Sequence, residues 1–531
     1  MPRDNTESNN TYIAPTRSLS SSSGKPPRLL YITLFLIFMT VYGVFVQDVG
    51  PNQLSRLNLT MAMAHEGRLQ IDTYTANAVD RAFYNGHYYS DKAPLVSFLA
   101  YPVYQGLRAL QGLDSINLDT RLMLTYILWV LNVSINVPLT ALLLVLFLYT
   151  GLILRPDSSM PWIATFVLAF GTLLFPYATM LFGHNVAAFF GFAPFVIALL
   201  VRRGKLGDKW LFLAGLLVGL GVLAEYPNGV FAIALVLYIW KTSSSPRRVG
   251  WVILGGLGPA LALAAYNTLA FGSPLHLSYL YHAAPWGAEH RQGLLGVRWP
   301  TPSHFYQILF SPKGLFYLMP VALLAPVAYL SMWRQRQWRA EFWMTLLIPL
   351  TLLLLNAGYF YTLGGSSPGP RFLVPTFPFL FLPYVFLDER WRWPLVVLGV
   401  LSAGIQLVIV ATNPLVGRFD NPLFQYWIPS LLTRQIRAAL IVRQRYGIPY
   451  RFALLFVIVW MSLGPGLVWL WRHLRATWRD RFLKGAFALV LIIYMAAAFP
   501  LDFRHPTRVP DIYLLPSPPV RDNPPNLNSS P

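Results

Sequence analysis

The sequence predicts an all-α polytopic membrane protein with about 13 transmembrane helices. Of its 531 residues, 55% are hydrophobic and 12% are charged, whereas soluble proteins carry about 25% charged residues. Apolar runs such as ALLLVLFLYTGLIL recur along the chain, and a spanning helix needs roughly 20 apolar residues. These runs are continuous, whereas the strands of a membrane β-barrel alternate between apolar and polar residues.

The charge balance narrows the classes of function. The net charge of +20 would suggest a nucleic-acid partner in a soluble protein. In a membrane protein, Lys and Arg instead mark the cytoplasmic loops, so we expect no nucleic-acid partner. The chain has no cysteine, which excludes disulfides, thiolate catalysis and cysteine-bound metals.

Three regions follow from this pattern. Residues 1–28 are polar and Ser-rich and are predicted to be a disordered cytoplasmic segment. Residues 29–500 form the transmembrane domain, in which 48–120 is a long first outer loop. Residues 501–531 form a Pro-rich outer tail. The predicted spans are 29–47, 121–150, 160–181, 185–201, 209–224, 228–241, 250–271, 314–333, 340–360, 372–387, 393–412, 452–471 and 485–500.

The connections between the spans predict their orientation. VRRGK, WKTSSSPRRVG, WRQRQWRAE, LDERWRW and WRHLRATWRDRFLKG are all basic, which places them on the cytoplasmic side. The remaining connections hold most of the acidic, His and Tyr residues. We therefore expect any chemistry at the outer boundary of the membrane.

Asp91 and Lys92 stand side by side before an apolar segment in GHYYSDKAPLVSFLAYPVY. One interpretation is an interfacial salt bridge with a snorkelling lysine, which stabilises little. The other is a phosphate site, in which Lys92 binds the anion and Asp91 orients it or holds a metal. The following helix, which contains Pro102, is predicted to lie in the membrane interface.

Asp48 directly follows the first predicted span, and PNQLSR after it suggests a turn opening a short helix with Asn52 as its N-cap. Asp48 either ends the span in water or acts as a general base at a partly dry rim. Asp72 and Asp80, in the same loop, are weaker candidates for the base and are predicted to be solvated.

The other outer bends supply polar candidates. His184 lies between two hairpin helices, where a single His is more often structural. Glu225 and Tyr226 lie at a second bend, and Tyr281 and His282 in a third connection. With Asp91, His282 could form a carboxylate–histidine metal site, although two ligands are weak evidence. The predicted substrate-binding residues are His184, Glu225, Tyr226, Tyr281 and Gly365.

The stretch LGGSSPGPRFLVPTFPFL combines a Gly-rich turn with an arginine. Glycines such as Gly365 allow the backbone to approach a ligand closely, and Arg371 can bind a phosphate through two parallel hydrogen bonds. The alternative role of Arg371 is a snorkelling anchor. Arg56, in the first outer loop, is a third candidate for the phosphate.

These motifs resemble those of the GT-C superfamily, polytopic glycosyltransferases that use lipid-phosphate-linked sugars. DKAPL is similar to the EKPPL-type motif of bacterial aminoarabinose transferases, which are related to protein O-mannosyltransferases. YNTLAFGSPL, ILFSPKGLFYLMP and GGSSPGPRFLVPTFPFL resemble motifs of other bacterial members. The resemblance covers roughly residues 29–390 and implies a GT-C-like fold.

The resemblance also implies roles for individual residues. Lys92 would bind the carrier-lipid phosphate, and Asp91 would help to hold a divalent metal with His282 as second ligand. The family's general base is an acid in the first outer loop, often in an acidic pair. PNQLSR has no such pair, so either Asp48 is the base, or Gln53 occupies its position and the base lies elsewhere.

The predicted function is transfer of a sugar from a polyprenyl-phosphate donor to a glycan, lipid or protein acceptor. The enzyme would lie among the lipids of the bacterial cytoplasmic membrane with its site facing outward. The alternatives are a transporter or flippase for lipid-linked glycans, and a glycan ligase or polymerase. A transporter needs polar groups across the bilayer, and the intramembrane cluster of Asn132, Ser134 and Asn136 is thin.

Overall fold

The computed structural model describes residues 26–77, 79–111, 121–243, 245–283, 287–417, 419–433, 439–440, 447 and 449–498. The predicted tail 501–531 and all but the last residues of the predicted N-terminal segment 1–28 lie outside these ranges. Within them the chain is predominantly helical.

The first half of the chain contains eleven α-helices in the described ranges, and these are α1 (Arg28–Gly43), α2 (Pro51–Glu66), α3 (Leu95–Gln111), α4 (Arg121–Ser134), α5 (Asn136–Leu154), α6 (Met160–Phe170), α7 (Leu174–Ala178), α8 (Gly183–Arg202), α9 (Trp210–Ala224), α10 (Gly229–Thr242) and α11 (Arg247–Phe271). The second half continues with α12 (Gly287–His290), α13 (Pro302–Leu309), α14 (Leu315–Leu318), α15 (Ala325–Trp333), α16 (Arg339–Gly358), α17 (Phe377–Phe381), α18 (Arg392–Thr412), α19 (Ile428–Leu432), α20 (Tyr450–His473) and α21 (Ala476–Ala498).

Six helical runs are long and apolar enough to cross a membrane: 121–154, 183–202, 247–271, 336–358, 389–412 and 450–473. Shorter apolar helices lie at 28–43, 160–170, 210–224, 320–333 and 371–386. By helix length and composition the chain is therefore an integral membrane protein, as predicted. The count of 13 spans stays a prediction.

Prolines divide several predicted spans into shorter helices. Pro138 has no N–H, and its ring crowds the carbonyl of Ser134, which explains the break at Ile135 between α4 and α5. Pro176 has the same effect on the predicted span 160–181, where α6 ends at Phe170 and α7 starts at Leu174. The predicted span 372–387 is a series of short helical turns for the same reason.

The last helix begins earlier than predicted. The sequence predicts a loop for most of WRHLRATWRDRFLKG, but in the structure α21 starts at Ala476. Charge alone does not end a helix, and this stretch has no Pro or Gly before Gly485. Lys484 lies 2.8 Å from Asp480 one turn earlier, a spacing that supports a helix.

The first outer loop is folded. Helix α2 packs on α3, and between them lies a hairpin of β2 (Ala82–Tyr84) and β3 (His87–Tyr89). Its turn is Asn85-Gly86, both with positive φ, the sequence that two-residue hairpin turns favour. A second strand pair joins β1 (Phe45–Val46) to β4 (Ala439–Leu440).

Polar contacts join three helices at one end of the bundle. Glu341, at the start of α16, is fully buried and accepts hydrogen bonds from Arg202 at 2.5 Å and Tyr238 at 2.6 Å. These two residues come from the ends of α8 and α10. Arg202 and Glu341 lie in connections predicted to be cytoplasmic, and Tyr238 lies near the end of the predicted span 228–241; the structure brings the three together.

Helices α9 and α11 pack so closely that their contact requires glycine. A Cβ on Gly255 would overlap the carbonyl oxygen of Phe212, and a Cβ on Gly215 would overlap that of Val252. A side chain at either position would therefore force the two backbones apart.

We expect Gly255→Ala to lower the midpoint of thermal unfolding in detergent, because relieving a backbone overlap costs about 1–3 kcal/mol. Gly258→Ala, one turn along the same helix, is the matched control, since its Cβ would meet nothing within 4 Å. There alanine should stabilise slightly, because glycine is a poor helix former. Equal shifts in the two variants would contradict the packing argument.

Candidate functional site

A buried ion cluster lies at the end of the molecule opposite the Glu341 contacts. The Nζ atom of Lys92 lies 2.6 Å from Asp91 Oδ2 and 2.8 Å from Asp80 Oδ2. The side chains of Lys92, Asp91 and Asp80 are 9%, 2% and 18% exposed. The pair Asp91–Lys92 is thus not an exposed surface salt bridge, and Asp80 is the more accessible of the two acids.

The β2–β3 hairpin creates this cluster. Asp80 precedes the first strand and Asp91 follows the second, and the register pairs Ala82 with Tyr89. The two carboxylates therefore meet beside each other at the open end of the hairpin, where Lys92 bridges them. The sequence prediction that Asp80 is solvated was wrong, because closure of the hairpin brings it onto Lys92.

Asp91 is held by several further donors. Ser55 on α2 donates a hydrogen bond to its Oδ1 at 2.7 Å, and the Nε2 of His282 lies 3.3 Å from its Oδ2. Ser278 donates to its backbone carbonyl at 2.8 Å. Asp91 therefore joins the first outer loop to the connection that follows α11.

Electrostatics fix the charges of the cluster. Burial by itself would raise the pKa of Asp91, but the Lys92 ammonium and then His282 outweigh it and hold the pKa well below its usual range. Burial would lower the pKa of Lys92, but the Asp80 and Asp91 carboxylates outweigh that effect and raise it. Asp91 and Lys92 are therefore both ionised at neutral pH.

Arg56 lies in a second buried pair. Its guanidinium donates to Glu225 at 2.7 Å, to the Asn52 side chain at 3.3 Å and to the Ala93 carbonyl at 3.3 Å. His184 Nδ1 lies 3.6 Å from the same Glu225 oxygen. The structure thus brings together three predicted site residues, and Glu225 neutralises Arg56.

Arg371 and Lys313 stand apart from these pairs, since the structure shows neither within salt-bridge distance of a carboxylate among the described residues. The Nε of Arg371 is buried and has no hydrogen-bond partner, and Lys313 donates only to the Gly365 carbonyl, at 3.4 Å. Arg371 nevertheless acts electrostatically on Lys92, so the two predicted phosphate-binding cations lie near each other.

Asp48 and Gln53 take other positions. Asp48 accepts a hydrogen bond from Arg121 Nε at 2.9 Å, forms an ion pair with the same guanidinium and also accepts from the Val49 N–H at 2.8 Å. Gln53 accepts from the Gly50 N–H at 3.0 Å. Helix α2 begins at Pro51 with Gly50 as its N-cap, so the prediction that Asn52 caps it was wrong.

The predicted aromatic residues divide between two places. The Tyr226 hydroxyl lies 3.4 Å from Ser278 Oγ, next to the Asp91 contacts. Tyr281 instead stacks on Phe271 at 5.3 Å and contacts His276 at 2.8 Å. Their roles in substrate binding, like that of Gly365, stay predictions.

Among the described residues, no three His, Asp or Glu side chains are arranged to hold a metal ion. The Oδ2 of Asp91, which a metal would need, already lies beside Lys92 and His282. The pair Asp91–His282 therefore does not fit a metal centre in this arrangement, and we derive no step through one.

Asp80 was predicted to be solvated and Lys313 was not among the predicted site residues, yet both lie in the site. The Asn-Gly turn between apolar segments is a hairpin signal. Extending the strand pairing from this turn residue by residue brings Asp80 opposite Asp91. Lys313 has no such signal, because its burial depends on the fold of the segment around Gly365.

We expect Glu225→Gln to destabilise the protein by about 3–5 kcal/mol, because it leaves the buried Arg56 charge uncompensated. Asp208→Asn is the matched control, since Asp208 pairs with Arg248 at 2.9 Å but is 42% exposed, and exposed pairs contribute about 0–1 kcal/mol. Thermal unfolding in detergent measures both. A loss at Glu225 no larger than that at Asp208 would show that the Arg56 pair is not structural.

No protein-family profile matches the chain, and no curated protein sequence matches it. A comparison of folds aligns the chain with the crystal structure of ArnT from Cupriavidus metallidurans bound to undecaprenyl phosphate. The alignment covers 88% of this chain and 75% of that chain, with 12% sequence identity and a TM-score of 0.39.

Proposed function

We propose that this protein is a membrane glycosyltransferase of the GT-C type that uses a polyprenyl-phosphate-linked sugar on the outer face of the membrane. The observation that carries the proposal is the placement of Arg371 beside Lys92, Asp80 and Asp91 at one end of an apolar helical body. The cations can stabilise the phosphate that leaves the sugar, and a carboxylate can accept the proton of the acceptor hydroxyl. The motif resemblance to GT-C enzymes supports the same reaction.

The donor's phosphate would bind at the cations. In the transfer, the bond between the sugar's anomeric carbon and the phosphate oxygen breaks, and the phosphate keeps the electron pair. Its negative charge therefore grows in the transition state, and fixed cations stabilise such charge. Arg371 is suited to this role, because no carboxylate among the described residues competes for it.

The acceptor side requires a base. The acceptor oxygen forms a bond to the anomeric carbon and loses its proton to a carboxylate. Asp91 is enclosed by Lys92, His282 and Ser55, and Asp48 is paired with Arg121, whereas Asp80 is partly exposed and contacts Lys92. We therefore propose Asp80 as the base, with Asp48 as the alternative.

Proton transfer to Asp80 would also help the leaving group. Once protonated, Asp80 no longer neutralises Lys92, so the ammonium charge becomes available to the phosphate as its own charge increases. One proton movement would then serve both ends of the reaction. The Asp80–Lys92 distance of 2.8 Å permits this coupling.

The contacts of the polar residues within the predicted membrane spans argue against a transporter. Asn136 donates to the carbonyls of Tyr177 and Met180, at 2.8 and 2.7 Å, and Asn132 donates to that of Ala178 at 3.0 Å. These amides satisfy backbone carbonyls at the end of α7 and in the turn that follows it. Such contacts are structural and leave little support for a polar path.

We expect Arg371→Ala to weaken binding of a polyprenyl monophosphate by about 10- to 100-fold, since hydrogen bonds to charged groups contribute about 1.5–3 kcal/mol. Arg371→Lys should recover part of the loss. Arg390→Ala is the control, because the Arg390 side chain is 70% exposed in the turn before α18. Titration of purified protein in detergent, with the uncharged polyprenol for comparison, measures the effect. Undiminished binding by Arg371→Ala would remove Arg371 from the phosphate site.

We expect Asp80→Asn to reduce sugar transfer by at least about 100-fold, the contribution of a positioned general base. Asp48→Asn should reduce it by less than about tenfold. The assay follows release of polyprenyl phosphate from a panel of polyprenyl-phosphate-linked sugars by mass spectrometry. The opposite ranking would identify Asp48 as the base, and no release with any donor would contradict the proposed function.

A further inference from the structure

We infer that Arg371 and Lys313 together form a binding seat for a phosphate-type anion that carries two negative charges. Every other charged residue of the site is paired: Lys92 with two carboxylates, and Arg56 with Glu225. Only Arg371 and Lys313 bring two positive charges that the described carboxylates do not neutralise. The inference rests on the proposed function for one point only, that a polyprenyl lipid carries the phosphate.

The two cations converge on one backbone turn. Gly364 and Gly365 both have positive φ, at 72° and 76°. A Cβ on Gly364 would overlap the Arg371 side chain, and the Gly365 carbonyl accepts from Lys313 at 3.4 Å. The glycines thus let the turn lie directly against the Arg371 side chain while its carbonyl group faces Lys313.

The burial of Lys313 is the second observation. Lys313 is 9% exposed, and its long hydrogen bond to Gly365 is weak compensation for a desolvated ammonium. Arg371 is half-buried, with its Nε unpartnered. Two buried like charges that lie close together without a counterion destabilise the folded protein. An anion that bridges them would remove both the repulsion and the unmet hydrogen bonds.

The titration of Lys313 follows from the same arrangement. Burial, and then the Arg371 guanidinium, lower the pKa of Lys313 to about 8. The other titratable groups that interact with Arg371 come from separate segments: Lys92, Tyr177, His184 and Tyr359. The Tyr361 hydroxyl lies against Gly365. None of the four groups that interact with Arg371 carries a negative charge near neutral pH.

A bound dianion would favour the protonated form of Lys313 and raise its pKa. Below pH 8 the ammonium is already present, so titration of Lys313 should not change the affinity with pH there. Above pH 8 binding must also take up a proton, so the affinity should fall by up to about tenfold per pH unit. A phosphate monoester is already dianionic there, since its second pKa is about 6.

The experiment measures dissociation constants for inorganic phosphate and for a polyprenyl monophosphate from pH 7 to 9.5, with purified full-length protein. Wild type should show the fall above pH 8. Lys313→Arg should bind with no such fall, because arginine stays charged. Lys313→Met should lose at least about tenfold at pH 7.

Melting temperatures distinguish a loss of anion binding from a loss of folding. Lys313→Met removes an unpaired buried charge, so its melting temperature without ligand should equal or exceed that of wild type. Added phosphate should then raise the melting temperature of wild type and not that of the variant. A Lys313→Met variant that binds as wild type does, or a wild-type affinity unchanged up to pH 9.5, would overturn the seat.

The two ligands separate the possible sources of the anion. Binding of both ligands with the same dependence on Lys313 indicates a seat open to free phosphate, and binding of the lipid alone indicates a seat entered from the membrane. Either result supports the seat. If the seat is found but no sugar is transferred, the proposed function fails alone. If transfer occurs and Lys313 is irrelevant to binding, the seat fails alone.

Discussion

The structure depends on neutralising charge where water is scarce. Taking one ion out of water costs several kcal/mol even after relaxation, so a charged loop can rest on an apolar bundle only if its ions find partners. Lys92 meets two carboxylates and Arg56 meets Glu225 at the end of α9. These contacts, with the Ser55–Asp91 and Ser278–Asp91 hydrogen bonds, attach the first loop to distant helix ends. The geometry of the site is therefore a consequence of how its charges are satisfied.

The two ends of the molecule use buried charge differently. At the end with Glu341, the arginine and tyrosine donors converge on one carboxylate, and the arrangement is that of a helix clamp. At the other end, paired ions surround two cations without counterions. An excess of one sign that persists in a dry setting is typical of a place where a ligand completes the charge balance. This contrast explains why the end that holds Lys92 and Arg371 is the candidate for catalysis, and the end that holds Glu341 is not.

Much of the fold was predictable because apolar runs and basic loops are local signals. The break at Ile135 and the broken segment 371–386 could also have been read from their prolines. The site was only partly predictable. Lys92, Asp91, His282, Arg56, Glu225 and His184 were identified from their outer position, and the structure joins them in two contacting groups. The role of Asp80 depended on a hairpin register and that of Lys313 on burial, and neither property belongs to a single stretch of sequence.

The pairing of β1 with β4 has a consequence for the order of assembly. Phe45 and Val46, just after the first helix, pair with Ala439 and Leu440, about 400 residues later, and α1 packs on α20 and α21. At a synthesis rate of about 5–20 residues per second, these partners emerge some 20–80 seconds after the first strand. During that interval the strand's backbone groups and one side of the first helix must be covered by lipid, by a chaperone or by provisional neighbours. Helix α1 and strand β1 are thus synthesised long before the elements that complete their packing.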